Sequence, residues 1–216
     1  MTCKVYIYVV ARDFGFAPNP FHGICTLATC VPKIRSAASV GDWVVGVGGS
    51  RLKAAGRCIY AMRVSEKITY DEYWSDSRFS CKKPLRNGSL LMMVGDNIYH
   101  KNKDTNDWVQ EDSHHSNPDG TINVLNLKRD TSSSYVLLSD HFYYFGKSAP
   151  IVELSMINYK NHRGYSVRSL SDNGVNEFIA KIERSYKACA NLVLDDPFDF
   201  SHATKRVDQS TGKLSE

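Results

Sequence analysis

The chain has no long apolar run and nothing that reads as a leader segment. No window approaches the ~20 consecutive apolar residues that a membrane-spanning helix needs. The first residues, MTCKVYIYVV, read as a strand and not as a charged region followed by a long apolar one. We therefore expect a cytoplasmic protein that does not engage membranes.

Cysteine is present, but not in the spacing of a metal or redox site. The six cysteines, at positions 3, 25, 30, 58, 81 and 189, form no CxxC pair. Such pairs are typical of structural zinc sites, and thiols in a reducing cytoplasm stay free. The spacing predicts buried or incidental thiols and no metal.

The signatures of several enzyme classes are also missing. The chain lacks GxGxxG, GxxxxGK[ST], GxSxG, HExxH and HxE followed by PCxxC. These absences argue against a nucleotide-hydrolysing motor, a dinucleotide enzyme, an esterase and a zinc deaminase. No cofactor is predicted, and the balance moves from catalysis toward binding.

What the chain does contain is a globular composition with a mild positive charge. Its 216 residues are 42% hydrophobic and 11% aromatic, with a formal net charge of +4. Such a charge is compatible with DNA or nucleotides as partners, with RNA as an open alternative, but it does not demand them. Composition offers no guide to protein partners.

Short apolar segments separated by turn residues indicate an α+β fold that is mostly strand. Apolar positions at helical spacing predict one amphipathic helix near Val175–Leu192, with Asp172 or Asn173 as its cap. We predict one domain over residues 1–200 and a mobile tail over 201–216. The predicted strands are Lys4–Val10, Trp43–Val47, Cys58–Val64, Thr121–Leu127 and Tyr135–Ser139.

The first third of the chain contains, in this order, the segment SVGDWVVGV, a glycine-rich break, CIYAMRV and YDEYW. A Gly-Asp turn permits a positive φ and lets an apolar strand begin abruptly. This order resembles small closed barrels of the PUA kind, including the ASCH and EVE groups. The resemblance implies a β-rich PUA-like barrel with peripheral helices and a pocket for a base or nucleotide.

A closer resemblance extends over most of the chain. The motifs that carry it are YVVARDFGFAPNPFHGICTLATCVPKIR, VGDWVVG, GDNIYH, EDSHHS, NLKRDTSSSYVLLS and FYYFG. In this order they resemble the nucleotide modification associated domain family, the second of that numbered set, from about Tyr6 to Phe145. The resemblance implies an association with systems that make, read or respond to modified bases in DNA, in bacteria and their viruses.

The polar segment Gly95–His115 gathers three of the seven histidines. In an extended chain Asp112 and His114 lie on one face, so the carboxylate could orient that imidazole as a general base. His115 would then point the other way, and a shared metal is not expected. If the chain is an enzyme, the predicted catalytic residues are His100, Asp112, His114 and Asp130; the alternative is a pair of surface histidines in a polar turn.

Aromatic and basic residues supply the candidate binding groups. Aromatic rings stack on bases, whereas Lys and Arg contact phosphates; the alternatives are ordinary core and a solvated basic face. The candidates for base or nucleotide binding are Arg12, Trp43, Tyr73, Trp74, Tyr99, His115, Arg129 and Thr131. The candidates for phosphate binding are Lys33, Arg35 and Arg51.

Two functions remain open from the sequence. The favoured one is a binding module that recognises a modified base in a DNA-modification or phage-defence context. The other is an enzyme that acts on a nucleobase or nucleotide by histidine and aspartate acid-base catalysis.

Overall fold

The strands of the protein are short and distributed over three sheets. A computed structural model describes residues 2–207 and Leu214. Within that part of the chain the strands are β1 Lys4–Val10, β2 Cys25–Leu27, β3 Trp43–Gly48, β4 Cys58–Arg63, β5 Glu66–Thr69, β6 Tyr99–Lys101, β7 Trp108–Gln110, β8 Tyr135–Ser139, β9 His141–Tyr144 and β10 Tyr165–Ser169. The α-helices are α1 Pro32–Ala37, α2 Tyr70–Ser75, α3 Leu90–Met93, α4 Val124–Asp130 and α5 Asn173–Ser185.

The largest sheet has the strand order β10-β1-β3-β4-β9. β1 and β3 run parallel, whereas the other neighbours are antiparallel. β3 begins at the predicted Gly-Asp turn, where Gly41 has a φ of 93°. The Asp42 carboxylate accepts hydrogen bonds from the backbone of Lys4 at 2.7 Å and Ser39 at 2.9 Å, which ties the start of β3 to β1.

The predicted PUA-like barrel is not confirmed. The remaining strands form a β2-β8-β5 sheet and a β6-β7 pair. Over the described residues β10 and β9 are the two edges of the largest sheet, and no strand pairing joins them. The architecture is therefore mixed, mostly sheet with some helices, and open where a barrel would close.

Two apolar clusters form the core. The first surrounds the largest sheet and includes the buried face of α5, formed by Val175, Phe178, Ile179 and Ile182. The second packs around the β2-β8-β5 sheet and includes Phe14, Phe16 and Tyr73. The predicted amphipathic helix is confirmed in its buried face, but it ends at Ser185 and is followed by a short 3₁₀ turn at Lys187–Cys189.

The prediction of a strand over Thr121–Leu127 is wrong. Residues from Val124 form α4, and the Asn123 side chain accepts a hydrogen bond from the backbone of Asn126 at 3.0 Å. An asparagine cap at the first turn favours a helix. This capped helix carries Arg129 and Asp130 toward the interior, which places them for the site described below.

A buried lysine braces the long loop that follows β1. The Lys82 ammonium donates to the Asn19 carbonyl at 3.0 Å, to the Asn19 side chain at 2.7 Å and to the Ile24 carbonyl at 2.7 Å. Only 1% of Lys82 is exposed. Because buried carbonyls need donors, this one ammonium satisfies several of them and fixes the loop on the body.

Part of the segment predicted to be a mobile tail can be placed. Ala203 is fully buried, and Arg206 donates to the Asp112 carboxylate at 2.6 Å. Residues 208–213, 215 and 216 lie outside the described residues, so mobility of the tail stays a prediction. Among the residues that are described, no helix has the length and apolar character to cross a membrane.

Candidate functional site

A cavity of about 320 Å³ opens where the end of β1, the turn before α1 and the turn of the paired histidines meet. Its walls combine apolar, titratable and cationic side chains. They include Arg12, Phe14, Phe16, Cys30, His114 and His115, with Arg51 and Arg129 contributing two further guanidinium groups. Concave sites with a few convergent polar groups are the usual places for small ligands.

The loop after β1 provides the aromatic wall. Phe14 and Phe16 are 5% and 2% exposed, and they flank the buried Gly15, which has a φ of 71°. Asp13 anchors this loop, because its carboxylate accepts hydrogen bonds from the Tyr144 hydroxyl and from the backbone of Phe198 at 3.2 Å. Burial raises the pKa of Asp13 to about 6, although these hydrogen bonds act in the opposite direction.

Cys30 occupies an unusual backbone position between β2 and α1. Cys30 and Val31 both have positive φ values, 57° and 31°, and Pro32 then begins the helix. A positive φ is costly for a β-branched residue such as valine, and such strain is concentrated at functional sites. The turn is held by the Cys30 amide, which donates to Oδ1 of Asp130 at 3.0 Å.

Cys30, His115 and Asp130 form a chain of contacts at one end of the cavity. The Cys30 Sγ atom lies 3.9 Å from Nε2 of His115. The other ring nitrogen, Nδ1, lies 2.7 Å from Oδ2 of Asp130. His115 is 3% exposed and Asp130 is fully buried. A thiol, an imidazole and a carboxylate in this sequence are the arrangement that activates cysteine nucleophiles.

The charges of these groups reinforce one another. Burial alone would raise the pKa of the Cys30 thiol, but the charge and hydrogen bond of His115, with Arg129, outweigh burial and lower that pKa. Burial would lower the pKa of His115, yet Asp130 and Cys30 raise it to about 9. The cluster therefore favours an imidazolium between a carboxylate and a thiolate.

A buried arginine holds this cluster together from behind. Arg35 is fully buried, and its guanidinium donates to the carbonyls of Cys30 at 2.9 Å, Asp130 at 2.6 Å and Tyr135 at 2.6 Å. The hydroxyl of Tyr99 donates to Oδ2 of Asp130 at 3.0 Å. The carboxylate and the turn of Cys30 are thus fixed before any ligand arrives.

His114 lies buried against the two phenylalanines of the cavity wall. It is 2% exposed, and its ring lies 4.3 Å from that of Phe14 and 5.3 Å from that of Phe16 between centroids. Among the described residues its Nδ1 atom has no hydrogen-bond partner. Burial and the nearby charge of His115 hold the pKa of His114 well below its ordinary value, so this imidazole is neutral.

Positive charge gathers along the cavity walls. Burial lowers the pKa of the Arg12 guanidinium, and the nearby charge of Arg51 lowers it further. Arg129 is half-buried, and it contacts Asp130 at 3.3 Å and the Asn126 side chain at 3.0 Å. Guanidinium groups brought together in this way attract an anion such as phosphate.

Comparison with protein families decides the affiliation of the chain. The sequence model of nucleotide modification associated domain 2 matches residues 2–204. The chain belongs to this family. Neither a curated protein nor a solved structure shows significant similarity to it. Family membership places the chain in the context of nucleotide modification.

The family match includes the loops that carry Phe14 and His114. The structure shows where the predicted residues lie relative to the cavity. Arg12, Arg51, His114, His115 and Arg129 line the cavity. Tyr99 and Asp130 stand directly behind it, with Arg35 as their support. Arg35 therefore serves the architecture of this member of the nucleotide modification associated domain 2 family, because its guanidinium is committed to carbonyl groups inside the protein.

Other predicted residues lie away from the cavity. His100 stacks on Trp74 at 4.0 Å and contacts Glu111 at 2.9 Å, while the Lys83 ammonium lies 3.7 Å from the Trp74 ring centroid. The remaining predicted residues are engaged elsewhere: Trp43 and Tyr73 are buried in the two cores, Lys33 is exposed on α1, and the Thr131 hydroxyl donates to the Leu127 carbonyl at 2.7 Å.

The expected pairing of Asp112 with His114 is not formed. Asp112 instead accepts hydrogen bonds from Arg206 at 2.6 Å and from the Ser116 hydroxyl at 2.9 Å. The assumption of an extended chain was wrong, since a turn places both histidine rings on the same cavity, 6.1 Å apart. The carboxylate that orients an imidazole is Asp130, and the imidazole is His115.

Cys30, Phe14 and Phe16 line the cavity but are not among the site residues that the sequence predicts. Cys30 was grouped with the incidental thiols because it lacks a CxxC partner, and nothing in TCVP reveals two consecutive positive φ values. A better signal was the position of Cys30 between a strand and a helix that begins with proline. Over residues 2–207 and 214, no group of three or more potential metal ligands is found.

Proposed function

We propose that this protein binds a nucleotide, free or within DNA, with the base in the cavity and the phosphate toward the arginines. The observation that carries the proposal is one cavity lined by two buried phenylalanines, the His114 imidazole and three guanidinium groups, two from loops and one from helix α4. Family membership supports it, because the family is associated with nucleotide modification.

The base-binding half rests on the Phe14, Phe16 and His114 wall. Two buried phenylalanine rings offer a flat apolar surface, and stacking on aromatic rings tolerates any base. The His114 imidazole completes this wall, because its ring lies 4.3 Å from that of Phe14 and 5.3 Å from that of Phe16 between centroids. A pocket of this kind can distinguish bases by their exocyclic groups, modified groups included.

The phosphate-binding half rests on Arg12 and Arg51. A second, more open cavity of about 450 Å³ adjoins the first and shares Val9 and Ala11 with it. Its walls include Ser50 and Arg163. This continuity gives room for a flanking nucleotide, and recognition of a base flipped out of modified DNA is the form of binding that we favour.

The test is a comparison of ligands that differ only in phosphate. Binding of 2′-deoxycytidine 5′-monophosphate and of 2′-deoxycytidine is measured by calorimetry at low salt. We expect the monophosphate to bind more tightly, and we expect Arg51→Ala to weaken it by about tenfold while hardly changing the nucleoside. Added salt should weaken the monophosphate alone.

Arg63 provides the matched control, because it is exposed and does not line the cavity. Arg63→Ala should leave both affinities unchanged. Equal affinities for nucleoside and nucleotide in every variant, or no binding of either at low salt, would contradict the proposal. Repeating the titration with short single-stranded DNA, plain and with 5-hydroxymethylcytosine, tests recognition of a modified base.

A second candidate function, catalysis on the bound nucleotide, is favoured by one specific observation. Cys30, His115 and Asp130 are arranged in series at 3.9 Å and 2.7 Å, and pure binding has no need of that arrangement.

A further inference from the structure

We propose that Cys30 is a catalytic nucleophile that adds through its sulfur to C6 of a pyrimidine nucleotide held in this cavity. The inference rests on the nucleotide binding proposed above and adds a reaction to it. Nothing in the family description assigns a reaction or a nucleophile. The substrate class is a pyrimidine nucleotide or a pyrimidine base within DNA.

The geometry separates Cys30 from the other buried cysteines of the chain. Burial raises the pKa of the Cys25 and Cys58 thiols to about 12, and neither lies against a histidine. Cys30 lies 3.9 Å from Nε2 of His115 and lines the cavity, where a ligand can reach it. A cysteine is reactive when a nearby group favours its thiolate form and a ligand can reach its sulfur.

His115 is held for this role and not merely close to it. Its carbonyl accepts hydrogen bonds from the side chains of Gln110 at 3.2 Å and Asn126 at 2.8 Å. Its Nδ1 atom is bound to Asp130 at 2.7 Å, so Nε2 points to the sulfur. Asp130 is a positioning residue in this scheme, since it fixes the ring and stabilises its positive charge.

The addition step needs no reactant other than the bound pyrimidine and water. In the ion pair the proton of Cys30 already lies on His115, and an electron pair of the thiolate sulfur forms the S–C6 bond. The electron pair of the C5=C6 double bond moves toward C5 and the O4 or N4 side of the ring. C5 then takes a proton from water, which leaves hydroxide; when hydroxide takes a proton from C5, the double bond forms again and the thiolate leaves.

Addition fits the cavity better than transfer of an acyl group. Acyl transfer by a cysteine needs backbone amides that stabilise the oxyanion. The amide of Cys30 itself, the first candidate for that role, already donates to Oδ1 of Asp130 at 3.0 Å. Addition to a flat ring needs instead an aromatic wall that holds the ring beside the sulfur, which Phe14, Phe16 and the His114 imidazole provide.

The experiment uses 5-nitro-2′-deoxyuridine 5′-monophosphate, whose nitro group makes C6 strongly electrophilic. Mass spectrometry of the intact native protein should show an increase equal to one ligand, with loss of the ligand's near-ultraviolet absorption. In a second assay, 2′-deoxyuridine and 2′-deoxycytidine 5′-monophosphates are incubated in D₂O. NMR should show exchange of the C5 proton for deuterium by the native protein.

Cys30→Ser and Cys30→Ala should both reduce adduct formation and exchange to background. Cys189→Ser is the matched control and should behave as the native protein. His115→Gln tests the role of the imidazole. In this variant, alkylation of Cys30 by iodoacetamide should become fast only at a higher pH than in the native protein.

The outcomes separate the two proposals. Nucleotide binding without adduct or exchange in the native protein would overturn the nucleophile and leave the binding proposal standing. Adduct formation that survives in both Cys30 variants would overturn it as well. Absence of any nucleotide binding would overturn the binding proposal, and the nucleophile with it.

Discussion

The Nδ1 atom of His115 lies 2.7 Å from the Oδ2 atom of Asp130, and both side chains are almost wholly removed from solvent. The carboxylate also holds the Cys30 amide and the Tyr99 hydroxyl. Removing Asp130 therefore leaves a buried imidazolium and two donors without an acceptor, whereas an exposed ion pair contributes little to stability.

We predict that Asp130→Ala lowers the free energy of unfolding by about 4 kcal/mol. The matched control is Glu183→Ala, because Glu183 forms an exposed contact with His141 at 3.0 Å. That control should cost no more than about 1 kcal/mol. Urea unfolding followed by circular dichroism measures both; equal losses would contradict a special role for the buried pair.

Substitution by phenylalanine should change the free energy of unfolding by very different amounts at the two adjacent histidines. His114→Phe keeps an aromatic ring against Phe14 and is expected to change stability by less than about 1 kcal/mol. His115→Phe removes the cation that lies 2.7 Å from Asp130, leaves only the Arg129 contact at 3.3 Å, and should cost about 3 kcal/mol.

Nucleotide affinity gives the complementary readout for the histidine pair. His114→Phe should weaken binding of 2′-deoxycytidine 5′-monophosphate by about tenfold. Thermal melts and calorimetry on the same preparations check both parts. A large loss of stability with unchanged affinity in His114→Phe would show that this side chain is structural.

The neighbouring lysines 82 and 83 offer a test of the buried brace. Lys82→Met leaves the Asn19 and Ile24 oxygens without their donor, and we expect a loss of about 3 kcal/mol. Lys83 is half-buried, and its ammonium lies 3.7 Å from the Trp74 ring centroid. Lys83→Met should lower the free energy of unfolding by about 1 kcal/mol or less. Guanidinium unfolding midpoints compare the two; similar losses would contradict the brace.

Asp13 should make stability depend on pH in mildly acidic solution. Its pKa is raised to about 6 in the folded protein, mainly by burial, against an ordinary value near 3.8. The folded state therefore holds this proton more tightly than the unfolded state does. The resulting stabilisation is fully present below pH 3.8 and is lost as the pH rises through 6, on the order of 3 kcal/mol in all.

Asp13→Asn removes this titration, so the native protein should lose stability relative to the variant between pH 4 and pH 6.5. Urea unfolding at pH 4, 5, 6 and 7 measures the difference between the two proteins. Asp140→Asn is the control, because Asp140 is exposed. A constant difference across this range would show that Asp13 titrates normally.

Local patterns in the sequence were sufficient for several elements. The apolar run of β1, the Gly-Asp turn before β3 and the apolar stripe of α5 follow from spacing and turn chemistry alone. The helix at Val124–Asp130 replaces part of the strand predicted over Thr121–Leu127, because β-branched residues on both sides of its cap, Asn123, favour a strand. Local patterns also could not predict whether the sheet closes into a barrel, because strand pairing depends on residues far apart in the chain.

The sequence by itself determined a mixed, strand-rich fold, the family and a pool of cationic and aromatic residues. It singled out His115, Asp130 and Arg129 without pairing them correctly. Only the tertiary structure decided that Cys30 joins them, because Cys30 and His115 are separated by 85 positions. Periodicity reports which face a residue lies on, whereas the partner of a buried charge is chosen by packing and desolvation over the whole fold.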